Sequence, residues 1–118
     1  MKTAELKGVA LDWAVAKCEG KSCNTPYDYD YNFADYSTNW ALAGLIIEHE
    51  GIELWCSLLG QPNHVEPMWQ KSHWRAKYFN KGVGDNVVFD GTTPLEAAMR
   101  CYVASKLGNE IDIPEELV

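Results

Sequence analysis

The run Gly91-Thr92-Thr93-Pro94-Leu95-Glu96-Ala97-Ala98-Met99-Arg100-Cys101-Tyr102-Val103-Ala104-Ser105-Lys106-Leu107-Gly108 constrains the fold more than any other stretch. Thr93 suits an N-cap, Pro94 suits the first helical position, and Glu96 completes a capping box. Leu95, Ala98, Met99, Tyr102 and Val103 recur at helical spacing and make one apolar stripe. Lys106 favours the negative end of the helix dipole, and Gly108 suits a helix stop. A stripe this regular must be buried, so the rest of the chain has to supply a surface for it.

Residues 4–19 read as a first helix with Leu6, Val9, Ala10, Trp13 and Ala14 facing inward and Lys17 at its end. Gly8 weakens the first turn by roughly 1 kcal/mol relative to Ala, which pulls the start toward Gly8. Asp12 falls off the stripe and is expected in solvent. Residues 20–37 carry no helical period. Within them, Tyr27-Asp28-Tyr29-Asp30-Tyr31-Asn32-Phe33 alternates aromatic and polar side chains, but Asp and Asn are poor strand formers. The expectation there is an ordered loop that lays aromatics on the protein body. Ser37 and Thr38 open a second helix, Asn39 to about Glu50. Its Trp40, Ala43, Ile46 and Ile47 make it apolar on more than one side, so it is expected to be well buried. Gly44 offers a point for a break into two short turns, and Gly51 ends the helix.

Ile52-Glu53-Leu54-Trp55-Cys56-Ser57-Leu58-Leu59 reads as a strand, with Ile52, Leu54, Cys56 and Leu58 on one face. Ser72 to Phe79 reads as a second, with Trp74, Ala76 and Tyr78 opposite Arg75, Lys77 and Phe79. The intervening Gly60–Pro67 is a loop on its glycine and proline content. Asn80 to Asn86 is a turn-rich link, and Val87-Val88-Phe89 fits a short edge strand. The acidic tail Ile111-Asp112-Ile113-Pro114-Glu115-Glu116 offers two isoleucines for docking.

Strands grouped together with helices at both ends give an α+β class: a small antiparallel sheet with helices packed on it. Both faces of the first strand carry large apolar groups, which makes a three-layer α-β-α sandwich the expected arrangement. The 118 residues are expected to form a single domain, 1–118, large enough for its own core.

The net charge of −7 argues against gripping nucleic-acid phosphates or anionic membranes. No apolar run approaches the roughly 18–20 residues that span a bilayer, and Met-Lys-Thr-Ala-Glu lacks the apolar core of a signal peptide. The expected location is therefore cytoplasmic. Cys18, Cys23, Cys56 and Cys101 are then expected as reduced thiols, not disulfides.

Three segments carry a family resemblance. The opening Leu6-Lys7-Gly8-Val9-Ala10-Leu11-Asp12-Trp13-Ala14-Val15-Ala16-Lys17-Cys18-Glu19-Gly20 resembles the start of the NinX-like proteins of tailed phages and prophages. Tyr36-Ser37-Thr38-Asn39-Trp40-Ala41 and Thr93 to Gly108 resemble the same family, so the likeness spans nearly the whole chain. A looser similarity joins these segments to phage α-β-α sandwich domains. The middle departs: Leu45 stands where a proline would follow the glycine, and the Gln61–Ser72 loop matches neither pattern. The resemblance implies a phage or prophage origin and expression in a bacterial cytoplasm, and it transfers no catalytic residues.

No reaction is legible in the side chains. Cys18-x4-Cys23, with His64 and His73 as the nearest completions, lacks the second tight pair of a structural zinc site. Cys18, Cys56 and Cys101 read as small core residues. There is no Gly-x-Ser-x-Gly elbow and no phosphate-cradling glycine loop, Gly82-Val83-Gly84 reading as a turn. His49, between Glu48 and Glu50, reads as a solvated or capped residue. Amides near Thr92 and Thr93 could hold an anion at the last helix's N-terminus, against a capping role for the same residues. Trp69, Lys71, His73, Trp74, Arg75, Lys77 and Tyr78 set aromatics beside cations. With Tyr36, Asn39 and Trp40 they could stack a base and hold its phosphate. The competing reading makes Trp74 and Tyr78 core and the cations the sheet's wet face.

The functional expectation is a phage accessory protein that binds and is not an enzyme, with an enzyme whose site assembles only in space, as a deep cleft with shifted titratable groups, left open as a third possibility. The binding protein needs no cofactor or metal and acts in the host cytoplasm on a small nucleotide-like ligand. The expected contacts are Tyr36, Asn39, Trp40, Trp74, Arg75, Lys77, Thr92 and Thr93. The alternative is a protein-interaction module whose acidic surface meets a host protein, in the manner of a DNA mimic. Neither a grip on the nucleic-acid backbone nor a membrane contact is expected, and a homo-oligomer is open.

Overall fold

The computed structural model describes residues 1–20, 34–56, 74–80, 84–114 and 117. The Tyr27–Phe33 segment, the Gln61–Ser72 loop, Cys23, His64, Trp69, Lys71, His73 and Glu115 and Glu116 lie outside the described residues.

The order among the described residues is α1 (Gly8–Cys18), α2 (Trp40–Glu50), β1 (Glu53–Cys56), β2 (Trp74–Asn80), β3 (Asp85–Gly91) and α3 (Pro94–Leu107). The α3 caps are those the sequence calls for. Thr93 Oγ1 accepts the Glu96 N–H at 3.1 Å, and Glu96 Oε1 accepts the Thr92 N–H at 3.2 Å, one residue before the usual partner. The buried set on α3, Leu95, Ala97, Ala98, Met99, Cys101, Tyr102, Val103 and Ala104, is broader than a stripe. The reason is that α3 is covered twice. It touches all three strands and also both α1 and α2.

The sheet runs β1-β2-β3, antiparallel throughout. Leu54 pairs with Ala76, Ala76 with Phe89, and Tyr78 with Val87, and these residues pack against the core. The class is α+β, a small antiparallel sheet with helices packed on it. Among the described residues α3 makes the main helix contacts, both with the sheet and with α1 and α2.

Several local expectations change. Residues 4–7 are not α-helical: Thr3–Glu5 form a 3-10 turn, and α1 begins at Gly8, which takes φ 58°, the start toward which its weak first turn pointed. Val9 is 51% exposed, while Leu11, Val15 and Ala16 join Ala10, Trp13 and Ala14 in the core. β3 is seven residues, not three, because β2 offers a ladder partner to each of them and overrides the poor propensity of Asn86, Asp90 and Gly91. The described part of the first strand is Glu53–Cys56, with Ser57, Leu58 and Leu59 beyond it. Helix α2 is continuous through Gly44, capped by the Asn39 side chain, which accepts the Ala41 N–H at 3.0 Å. It buries only Ala43 and Ile46. Trp40 and Leu45 stand 56% and 65% exposed, so apolar content on several sides did not mean cover on several sides.

The chain ends clasp. The Thr3 N–H donates to Asn109 O at 2.8 Å, the Ile111 N–H donates to Met1 O at 3.0 Å, and Thr3 Oγ1 donates to Gly108 O at 2.7 Å. Ile111 is buried and Ile113 packs against the core, as the tail pattern suggests. No helix among the described residues is long and apolar enough to cross a membrane.

Asp12 corrects the sequence reading most sharply. It is 8% exposed, not solvated, and its Oδ1 accepts the Ser37 N–H at 2.7 Å. That bond ties α1 to the turn preceding α2. Burial raises its pKa above the usual 3.8, partly offset by the Ser37 hydrogen bonds. A raised carboxyl favours the protonated fold. Its contribution is complete below the unfolded value and is lost as pH rises through the folded one. Asp12→Asn keeps the acceptor and removes the titration. Thermal melts of both proteins from pH 7 toward pH 4 should show the wild type gaining stability relative to Asp12→Asn; a constant difference would contradict the assignment.

Candidate functional site

The expected ligand contacts do not converge. Tyr36 is a core residue. Asn39 is spent on capping: its Oδ1 takes the Ala41 N–H, and its Nδ2 donates to Asp35 Oδ1 at 3.2 Å. Trp74 lies on the core face of the sheet, packed against the core cluster. Strand alternation puts Arg75 and Lys77 on the opposite face. There Arg75 Nε lies 3.0 Å from Asp90 Oδ1, a charge pair without the angle of a hydrogen bond, and Lys77 Nζ lies 3.1 Å from Glu53 Oε2. Thr92 and Thr93 serve the α3 capping box. Of the set, Trp40 offers a large exposed ring, and it sits on α2.

A different place gathers chemistry. An open cleft of about 610 Å³ is lined by Glu19, Leu45, Ile46, Glu48, His49, Glu50 and Tyr102. It lies where the helices finish. Glu19 is the C-cap of α1, and residues 45–50 are the last turns of α2. Tyr102 comes from the C-terminal half of α3. Helix C-termini carry partial negative charge, which the three glutamates reinforce. The Tyr102 hydroxyl donates to Glu19 Oε1 at 2.7 Å. Lys106 Nζ lies 3.5 Å from Glu50 Oε2 and 6.0 Å from the centre of the Tyr102 ring. His49 Nδ1 is 3.4 Å from Glu50 Oε1, with the imidazole largely in solvent.

Glu19 thus accepts the Tyr102 hydroxyl and Glu50 faces Lys106, while Glu48 is an exposed carboxylate at the cleft's edge. Leu45, Ile46 and the Tyr102 ring give an apolar wall, and the glutamates give the charge. These groups do not describe a nucleophile. Burial pushes the Cys18 thiol up to about 12, so it stays protonated near neutrality. Burial, and then donation to Glu19, pushes Tyr102 above the ordinary 10.0. Cys18, Cys56 and Cys101 are free, and no group of His, Cys, Asp and Glu among the described residues could hold a metal ion.

A second hollow of about 410 Å³ is lined by Ala4, Arg75, Val88, Phe89, Asp90 and Arg100. Arg100 is already committed there. Its Nε donates to Leu6 O at 2.6 Å, its Nη1 to Asp90 O at 2.9 Å, and its Nη2 pairs with Glu96 Oε1 at 3.1 Å. That fork joins the chain start, the end of β3 and the first turn of α3.

Sequence reasoning missed the cleft because its residues are scattered over more than 80 positions with no motif spacing. One signal was readable. Glu19, Glu48 and Glu50 stand at the C-terminal ends of helices, where acidic residues oppose the dipole.

Comparison with known protein families matches residues 2–106 to the family described as Bacteriophage P22, NinX. No match was found among curated proteins.

The Tyr102–Glu19 bond has a measurable signature. Tyr102→Phe should cost about 1 kcal/mol at neutral pH, the net worth of one hydrogen bond. Because the folded phenol titrates above 10.0, its contribution is present below that pH and is lost as pH rises beyond it. Melts from pH 8 to pH 11 should show the wild-type advantage shrinking above pH 10; parallel curves would contradict the buried, donating phenol.

Proposed function

The chain belongs to the bacteriophage P22 NinX family, and from that membership and the cleft together we propose a phage accessory protein that acts by binding within the host cell. The acidic cleft takes a cationic side chain carried on a basic segment of a host protein. The observation that carries this reading is the placement of Glu19, Glu48 and Glu50 around an open cleft walled by Leu45, Ile46 and Tyr102. A lysine or arginine has the matching shape, an apolar stem ending in a charge. An anion would meet three carboxylates and the negative ends of helices.

Sequestering a small nucleotide-like ligand is the competing reading, and Arg75 in the second hollow is what favours it. Its support is thinner. Arg75 and Lys77 are each paired with a carboxylate, and Trp74 belongs to the other face of the sheet.

Two measurements separate the readings. The purified protein should capture a basic host protein from bacterial lysate, with capture weakened by added salt and by Glu19→Gln with Glu48→Gln. A panel of nucleotides, including cyclic and ADP-ribose-type compounds, should leave Tm unchanged. A ligand at about 100 times its Kd would add roughly 2.7 kcal/mol, a rise of several degrees. Such a rise, lost on Arg75→Ala, would replace the cleft reading with the nucleotide one.

A further inference from the structure

Helix α2 carries a glycine that the fold does not use. Gly44 lies in the middle of a continuous helix, where glycine weakens the helix relative to alanine. Its φ is not in the left-handed region, and a Cβ built on it meets nothing within 4 Å. Nothing inside the described structure therefore explains the missing side chain. Its surroundings do. At about 100° per residue, positions 40, 41, 44, 45 and 48 share one side of the helix. Trp40 and Leu45 stand 56% and 65% exposed, and Ala41 and Glu48 are exposed as well. Two large apolar side chains thus flank a low floor of Ala41 and Gly44, and this floor leads into the acidic cleft at Glu48.

We infer that this outer face of α2 is a docking surface for a basic amphipathic helix of another protein, which crosses α2 at Gly44. A missing Cβ lets two helix axes approach at the short end of the usual range of about 8–10 Å. Trp40 and Leu45 then clasp the partner's apolar stripe, as in other helix-in-groove contacts. Charge selects the occupant. Glu48 lies exposed on this face, Glu19 adds its charge from the adjoining cleft where Lys106 faces Glu50, and the chain carries a net charge of −7. A second copy would bring the same glutamates against one another, whereas a basic helix neutralises them. The charge part of this inference rests on the cleft reading proposed above; the Gly44 part does not.

The test uses a fluorescently labelled lysine–leucine amphipathic peptide of about 18 residues, long enough to be helical. Binding to the full chain is followed by anisotropy, and the oligomeric state by sedimentation. Gly44→Leu should raise Tm by a few degrees, showing an intact fold, yet weaken the peptide about tenfold or more. Leu45→Ser and Glu48→Gln should also weaken it, and Glu5→Gln, on the 3-10 turn, should not. No binding, or a Gly44→Leu protein that binds like the wild type, overturns the inference. Loss with Glu48→Gln and Glu19→Gln alone would overturn the α2 surface while leaving the cleft reading standing. Loss with Gly44→Leu and Leu45→Ser alone would overturn the basic partner and the cleft reading together. A wild-type dimer abolished by Leu45→Ser would make a second copy the occupant and overturn the assignment.

Discussion

The close approach of Gly91 to Ala97 is the contact on which the arrangement depends. A Cβ at residue 91 would stand 2.5 Å from the Ala97 backbone nitrogen and 3.0 Å from its Cα. Backbone atoms in the first turn of a capped helix cannot yield to it, so even one methyl there would overpack the junction. Without that side chain, β3 runs straight into α3, and Arg100 locks the corner by holding Asp90 O, Leu6 O and Glu96 together. With α3 fixed over the sheet, α1 and α2 pack against α3 in turn. The cleft follows from this arrangement, because Tyr102 reaches Glu19 and Lys106 reaches Glu50 from the same end of α3.

What could be read from the sequence was what depends on neighbours in sequence. The α3 caps are local chemistry among Thr92, Thr93, Pro94 and Glu96, and they appear as expected. Alternation along Trp74 to Phe79 is equally local, and it separates core residues from the wet face correctly. Asp12 failed because the group that makes its burial tolerable, the Ser37 N–H, is 25 residues away. β3 was under-read because Asn86, Asp90 and Gly91 lack strand propensity of their own and borrow it from the β2 ladder. In α2 apolar residues on more than one side were read as good burial. The structure covers Ala43 and Ile46 and leaves Trp40 and Leu45 outside.

The candidate site was less legible than the fold for a related reason. The aromatic-plus-cation segment looked functional because Trp74, Arg75 and Lys77 are adjacent in sequence, but adjacency in a strand means opposite faces. The cleft is built the other way, from residues far apart in the chain that three helix ends bring together. Its acidic groups run against local preference by standing at helix C-termini, and beside it Gly44 sits inside a helix where a Cβ would meet nothing within 4 Å. Glu19 and Glu50 are compensated within the fold, by the Tyr102 hydroxyl and by Lys106.

The most direct test is an amide chemical-shift titration of the isotopically labelled protein with a short tetra-arginine peptide. Shifts should be confined to Glu19, residues 45–50 and Tyr102 and be abolished by Glu19→Gln with Glu48→Gln. Shifts centred instead on Arg75, Val88 and Arg100, or spread evenly over every exposed carboxylate, would contradict a cation-selective cleft at the helix ends.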